Sequence, residues 1–280
     1  MTRQIRIVHH TGYAYREPVL GSYNEVRMTP RTSREQWVLS SRIDIQPSPW
    51  VLGYRDYWGT KVTSFEIRER HSRLGVTSTA TVEVTRSAEP SPGASWEELR
   101  DPRLEDRLVE MLTLTEHIDP GTELSEFAAA VAREASPAET VAAVVATIRD
   151  RVRYVPGATH VQTRARDVWA AAAGVCQDMV HVALGALRSV GIPARYVSGY
   201  LMPAANPVPG EARKAESHAW LQYWDGAWVG LDPTNDSAPG EFHVEVGIGR
   251  DYSDVPPLRG IYSGAAESEM YVEVEMTVLD

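Results

Sequence analysis

One cysteine, Cys176, stands in 280 residues. A single thiol excludes an intrachain disulfide framework and a cysteine-rich zinc site, leaving either a small buried side chain or a reactive nucleophile. No block of Lys or Arg interrupts a balance of 38 acidic against 28 basic residues, a formal charge of −10. Nothing in the chain would track a phosphate backbone, and nucleic acid is not expected as a partner. No apolar run approaches the ~20 residues of a membrane-spanning helix; the longest, around Val141 to Ile148, is far shorter. The opening MTRQIRIVHHTGYAY lacks the apolar core of a secretory signal. These absences lead to the expectation of a soluble, cytoplasmic protein without membrane contact, and leave its oligomeric state open. Metal-ligand patterns are also missing. His9, His10, His71, His117, His160 and His243 show no H-x-x-x-H or C-x-x-C partnering, and there is no D-x-D-x-D-G loop, so neither a metal nor another cofactor is expected.

What is present is enough apolar material, 43% of residues, for a full core. From Ile5 to about Thr85, short alternating runs rich in Val, Ile, Thr and aromatics (IRIVHHTGYAY, EVRMTP, QWVLSSRIDIQ, KVTSFEIR, TSTATVEV) predict strands, with turns such as Trp58-Gly59-Thr60 between them. The Ser, Pro, Glu and Gly of Arg86 to Ser95 then break the periodicity and read as a linker. This places a β domain at 1–90, expected to form its own sheet layer, and a second domain at 96–280. In the latter, LEDRLVEMLTL and LSEFAAAVARE read as amphipathic helices. Ser136-Pro137-Ala138-Glu139 reads as a capping box opening another. A further helix is predicted from Cys176 to Val190, stopped by Gly191. ARYVSGYLM, SHAWLQYW and AWVGLD read as strands, and the remainder as a long loop and a closing strand, YVEVEMTVL.

Cys176 lies in Gly174-Val175-Cys176-Gln177-Asp178, at a predicted helix start, where backbone N–H groups and the helix dipole favour a thiolate. A nucleophilic thiol needs a base. His218 in Glu216-Ser217-His218-Ala219-Trp220 supplies an imidazole, and Asp232 in Leu231-Asp232-Pro233-Thr234 a carboxylate to fix its tautomer and stabilise the imidazolium. His181 shares the Cys176 helix but, at about 100° per residue, points some 140° away, and reads as structural. Asp178 in the first turn suits the helix dipole. Trp220, Trp224 and Trp228 could wall a cleft or fill the core equally well.

A cysteine opening a helix, a strand carrying His, and a strand ending in Asp-Pro-Thr resemble bacterial transglutaminase-like proteins with an N-terminal β region. The matching segments are GVCQD, GIPARYVSGYL, SHAW and WVGLDPTN, with PVLGSYNEVRMTPR, DYWGT and GRDYSDVPPLRG towards the two ends. Met179-Val180 stands where Phe-Ala is expected, and Thr60 where Asn is commoner; neither touches the three residues above. The resemblance implies an α+β fold: an N-terminal β-sheet domain, then a papain-like core whose Cys-bearing helix packs on an antiparallel sheet. It also implies that Cys176, His218 and Asp232 form a catalytic triad acting on a peptide or protein amide, with water or a primary amine as acceptor. The Cys176 N–H would be one oxyanion donor. Tyr154, Gln162 and Trp169 are candidates for the second, and Trp220 for the cleft. A different class of reading, a catalytically silent peptide-binding module on this fold, is opposed by the intact set of three residue types.

The hairpin joining His218 to Asp232 has two possible registers. A two-residue Asp225-Gly226 turn would send Asp232 to the wrong face. A three-residue Trp224-Asp225-Gly226 loop, with Gly226 left-handed, pairs Tyr223 with Ala227 and His218 with Asp232, and sets Trp220 opposite Gly230. The chemistry selects the second. Because it uses no metal, amide-directed turnover should be unchanged by EDTA; a loss restored by a divalent ion would contradict this reading.

Overall fold

The computed structural model describes residues 2–86, 91–203, 206–265 and 267–280. The N-terminal strands are β1 (Arg3–Val19), β2 (Gly21–Val26), β3 (Gln36–Gln46), β4 (Val51–Arg55), β5 (Lys61–Ile67) and β6 (His71–Val84). Their period-2 pattern is clearest in β6, where Leu74, Val76, Ser78, Ala80, Val82 and Val84 are buried on one face. Helices α1 (Trp96–Leu99), α2 (Pro102–Arg107), α3 (Val109–Leu112), α4 (Gly121–Ala132) and α5 (Pro137–Arg151) follow. Then come β7 (Arg153–Tyr154), α6 (Ala165–Ala171), β8 (Ala173–Gly174), α7 (Cys176–Ser189), β9 (Ala194–Leu201), β10 (Ala212–Trp224), β11 (Trp228–Leu231), β12 (His243–Gly249), β13 (Leu258–Ser263) and β14 (Ser268–Val278).

Local chemistry sets the helix ends. At α5, Ser136 Oγ accepts from the Glu139 N–H and Glu139 Oε2 from the Ser136 N–H, the reciprocal pair expected of Ser-Pro-Ala-Glu. Helix α7 spans the predicted range to within a residue, and Gly191 past its end takes the left-handed φ of 84°. Met179, Val180, Ala183, Leu184 and Leu187 bury themselves among α4, α5, α6 and the odd-numbered face of β10, Ala219 and Leu221. The segment LEDRLVEMLTL does not form one helix; it breaks at Leu108 into α2 and α3.

The sheet departs from the expected separate layer. One sheet runs β12-β9-β10-β14-β1-β6-β3, with β11 also on β10, while β13-β2-β5-β4 form a second. The closing strand is the joint. β14 pairs with β1 over Ile5↔Val278 to Tyr15↔Ser268, and its Val274–Thr277 end pairs with Ala215–Ala212 of β10. The N-terminal strands therefore share their ladder with the strand that carries His218. Side chains reinforce the joint: the Gln36 amide donates to Glu245 O at 2.9 Å and accepts from Glu245 N at 2.8 Å, continuing the β12 ladder. Of the stretch read as a linker, residues 87–90 lie outside the described residues. Its two ends are fastened, Arg86 Nη1 donating to His243 O at 2.9 Å and Ser91 Oγ to Asp225 O at 3.1 Å. β12 and β13 occupy sequence that had read as loop.

The β10–β11 hairpin also differs in detail. Trp224 pairs with Trp228 and Leu221 with Leu231, so the loop is Asp225-Gly226-Ala227, with Gly226 at φ 81°. A tertiary contact accounts for the choice: the buried Asp225 carboxylate accepts from Ser91 Oγ at 2.5 Å and Ala94 N at 2.6 Å, anchoring that residue in the turn. The register slides by two residues from the expected one. Because the side-chain period is two, every residue keeps its face.

A chain beginning at Ser95 would lose the β1 partner of β14, and with it the support of β10. Such a truncated chain should show no cooperative urea transition by circular dichroism. A soluble product with a single sharp transition would contradict the shared-sheet arrangement.

Candidate functional site

The site forms where the start of α7 meets β10. Val175 precedes the helix in an extended conformation, and Asp178 Oδ2 accepts from its N–H at 2.8 Å. The same oxygen accepts from Thr159 Oγ1 at 2.6 Å, tying the loop after β7 to the helix start. A Cβ at position 174 would lie 2.8 Å from Asp178 Cβ, which is why Gly precedes Val-Cys here. Burial raises the Asp178 carboxyl above its ordinary range, against the bonds from Thr159 and Val175.

His218 pairs with Gly199 across the β10–β9 ladder. Trp220, next on the same face and fully buried, stacks on the His218 ring with centroids 6.1 Å apart. Room for that indole comes from Gly199 rather than from Gly230. A Cβ at 199 would stand 2.6 Å from the Trp220 ring and 2.1 Å from Val244 O, whereas Gly230 pairs with Gln222 and faces Pro239. Past β11 the chain closes a short bridge, Asp232 N donating to Ser237 O at 2.8 Å, which turns the Asp232 carboxylate back over the His218 face.

That carboxylate is the centre of the site. Oδ1 accepts from the backbone N–H groups of Thr234 at 2.9 Å and Asn235 at 3.2 Å. Oδ2 contacts His218 Nε2 at 2.7 Å, Asn235 Nδ2 at 2.7 Å and His243 Nε2 at 3.2 Å. Burial by itself would push Asp232 up. The bonds from His218 and His243, the His218 charge and the Asn235 bond instead hold it well below the usual carboxylate range. His218 goes the other way. Burial lowers it, but hydrogen bonds to Asp232 and Cys176, with their charges, raise it to about 9. With Nε2 committed to Asp232, Nδ1 is the nitrogen left for the thiol.

The three residues singled out from the sequence are thus brought together, with Cys176 half-buried and Asp232 fully buried. Tyr154 lines a cleft of about 530 Å³ with Leu201, Glu216, His218, Thr234 and Asn235. Burial, and then the charges of Cys176, Glu216 and Asp178, raise its hydroxyl to about 12. Gln162 is exposed in the loop tied down by Asp178, its N–H donating to His160 Nδ1 at 3.3 Å. Trp169 is placed elsewhere: buried in α6, it stacks on Phe127 at 5.9 Å, under the Arg151 guanidinium at 4.2 Å. Trp220 packs beneath His218 and is absent from the cleft lining, so it is a support rather than a wall. His181 is fully buried, its Nε2 accepting from Tyr252 N at 3.2 Å.

Sequence reasoning passed over His243 and Asn235. Asn235 follows Asp232 so closely that an Asp-Pro-Thr-Asn turn could have suggested it; His243 lies on β12, where no strand was expected. His218, Asp232 and His243 hold ligand-type atoms within 4.8 Å of one another, a grouping absent from the spacing of histidines along the chain. Its geometry is that of hydrogen bonding. His243 Nδ1 accepts from Gly240 N at 3.1 Å, so a neutral ring carries its proton on Nε2, the nitrogen facing Asp232.

Among known families, residues 5–83 match the bacterial transglutaminase-like N-terminal region and residues 125–233 the transglutaminase-like superfamily. The chain is 43% identical over 277 residues to an uncharacterized protein of Mycobacterium leprae (strain TN), covering 99% of each. A protein-glutamine gamma-glutamyltransferase of Pseudomonas aeruginosa is 38% identical over 72 residues, 24% of this chain and 10% of that protein. A solved structure from Cytophaga hutchinsonii, named as a candidate cysteine protease, has a TM-score of 0.80 at 22% identity, covering 100% of this chain and 92% of that one. The last likeness is one of fold.

Because His218 rises from 6.5 to about 9 on folding, its contribution to stability is full below pH 6.5 and is lost as pH climbs through about 9. Asp232 falls below 3.8, so its share is full above that value and is lost only in stronger acid. The stability lead of the wild type over His218→Gln should therefore be greatest between about pH 4.5 and 6.5, at about 1–3 kcal/mol, and shrink towards alkaline pH. Urea titrations across pH measure it. A lead that grows above pH ~9 would contradict the assigned charge on His218.

Proposed function

The chain belongs to the transglutaminase-like superfamily, and from that premise we propose that it is a thiol acyl-transfer enzyme in which Cys176, His218 and Asp232 act as a triad on peptide or protein amides. The observation that carries the reading is the His218 Nε2 contact to the buried Asp232 Oδ2 at 2.7 Å, on a ring whose pKa the neighbouring Cys176 helps to raise. In this reading the Cys176 sulfur attacks the amide carbonyl while His218 holds the thiol proton. The tetrahedral intermediate collapses as His218 gives that proton to the leaving amine or ammonia, and a thioester remains on Cys176. Water or a primary amine, deprotonated by His218, then attacks the thioester and restores the thiol. Asp232 stays ionised throughout and stabilises the imidazolium.

The oxyanion needs donors that await it. The Cys176 N–H, at the first position of α7, has no acceptor within the helix. Of the upstream candidates, Tyr154 is the one lining the cleft with His218, and a hydroxyl raised to about 12 remains a neutral donor at working pH. The relatives support a peptide or protein substrate at this coarse level; the acceptor separates a peptidase or amidase from a transamidase.

Incubating the protein with a peptide library, with and without a primary amine, distinguishes these by product mass: chain cleavage marks a peptidase, ammonia loss with an amine adduct a transamidase. Cys176→Ala should abolish either product while leaving the fold intact, and Asp232→Asn should lower kcat/KM by roughly 10²–10⁴-fold. Substantial turnover by Cys176→Ala would exclude the thiol mechanism.

A further inference from the structure

We propose that His243 is a positioning residue, a fixed Nε2–H donor that holds the Asp232 carboxylate ionised and turned towards His218. The inference rests on the triad reading above and extends it by a fourth side chain. Its basis is the tautomer. The Gly240 N–H points at His243 Nδ1 from 3.1 Å, so that nitrogen must present a lone pair. A neutral ring then carries its proton on Nε2, which meets Asp232 Oδ2 at 3.2 Å. A second ring proton would set N–H against N–H. Burial of the ring disfavours it first, and then the charged groups facing it: His218, on the same carboxylate oxygen, and Arg86, whose Nη1 binds His243 O at 2.9 Å. The Asp232 carboxylate is therefore shared by one imidazolium, His218, and one neutral donor, His243.

Three donors converge on Oδ2, and they are not equivalent. Asn235 is an exposed residue, and water can take the place of its amide. His243 reaches the oxygen from inside the sheet, 7% exposed and wedged edge-on against Trp220 at 5.3 Å and 82°. If its N–H is lost, the inner side of Oδ2 has no replacement, and a buried charge short of a donor relaxes by turning or taking up a proton. Either change unfixes His218, and through it the thiolate.

The test uses the single cysteine as its own reporter, so no substrate need be known. Full-length protein is alkylated with iodoacetamide at pH ~6, where an ordinary thiol is nearly all protonated. Three variants separate donor from packing. His243→Phe keeps a ring against Trp220 without an N–H. His243→Gln extends an amide N–H to about the place of Nε2, and His243→Asn falls short of it. The Phe and Asn variants should react roughly 10- to 100-fold more slowly than wild type, and Gln within about threefold of it. A Phe variant that folds and reacts like wild type, or Asn and Gln variants slowed equally, would overturn the proposal. Should Phe lose its cooperative unfolding transition, the Asn and Gln pair decides alone. A wild type whose Cys176 reacts no faster than glutathione would overturn the triad reading and this one together. A fast wild type with unaffected variants overturns only the role of His243.

Discussion

A fully buried carboxylate, Asp232, accepts five hydrogen bonds, and the placement of the surrounding elements follows from satisfying it. A buried charge is tolerated only when its lone pairs are filled and an opposite charge is close. Here the backbone turn after Asp232 fills Oδ1, and three side chains drawn from β10, β12 and the turn itself fill Oδ2. The His218 imidazolium supplies the countercharge. Under the proposed triad, the requirement that stabilises Asp232 would also prepare the Cys176 thiol beside that imidazolium.

The N-terminal strands take part in this arrangement at a distance. Arg86 ends β6's extension with its side chain 6% exposed, its guanidinium 6.0 Å over the Trp220 ring and bonded to His243 O. Trp220 and His243 are the two rings on which His218 rests, at 6.1 Å and 6.0 Å. With Gln36 completing the β12 ladder and β14 joining β1 to β10, the N-terminal region acts as a wall behind the site. Its contribution is rigidity: a ring packed on buried aromatic and guanidinium faces has little freedom to leave the carboxylate.

The parts of the site legible in the sequence are those that local rules govern. Cys176 at a helix start, the Ser136 capping box and the Gly191 stop depend on neighbours within a few residues, and they were readable as such. The facing of His218 and Asp232 was readable because it depends on parity, and a register error of two residues leaves parity intact. What escaped depends on tertiary contacts. The turn residue is chosen by Ser91 and Ala94 grasping Asp225, a partner more than 130 positions away. HVEVGIG alternates Val244, Val246 and Ile248 with His243, Glu245 and Gly247, a strand signal that the loop reading passed over; that His243 faces Asp232 is set by tertiary contact. Trp169 reads as an oxyanion-donor candidate since nothing local distinguishes an indole at a site from one in a core.

The charge distribution on the two imidazoles is what the proposed chemistry hinges on, and it is directly observable. Nitrogen-15 NMR of histidine-labelled protein, titrated from pH 5 to 10, reports the proton count and tautomer of each ring. His218 should remain an imidazolium until it titrates near 9, while His243 stays neutral with its proton on Nε2. A His218 that titrates near its ordinary 6.5, or a His243 that carries the charge in its place, would contradict the assignment of Asp232 and His218 as the pair that activates Cys176.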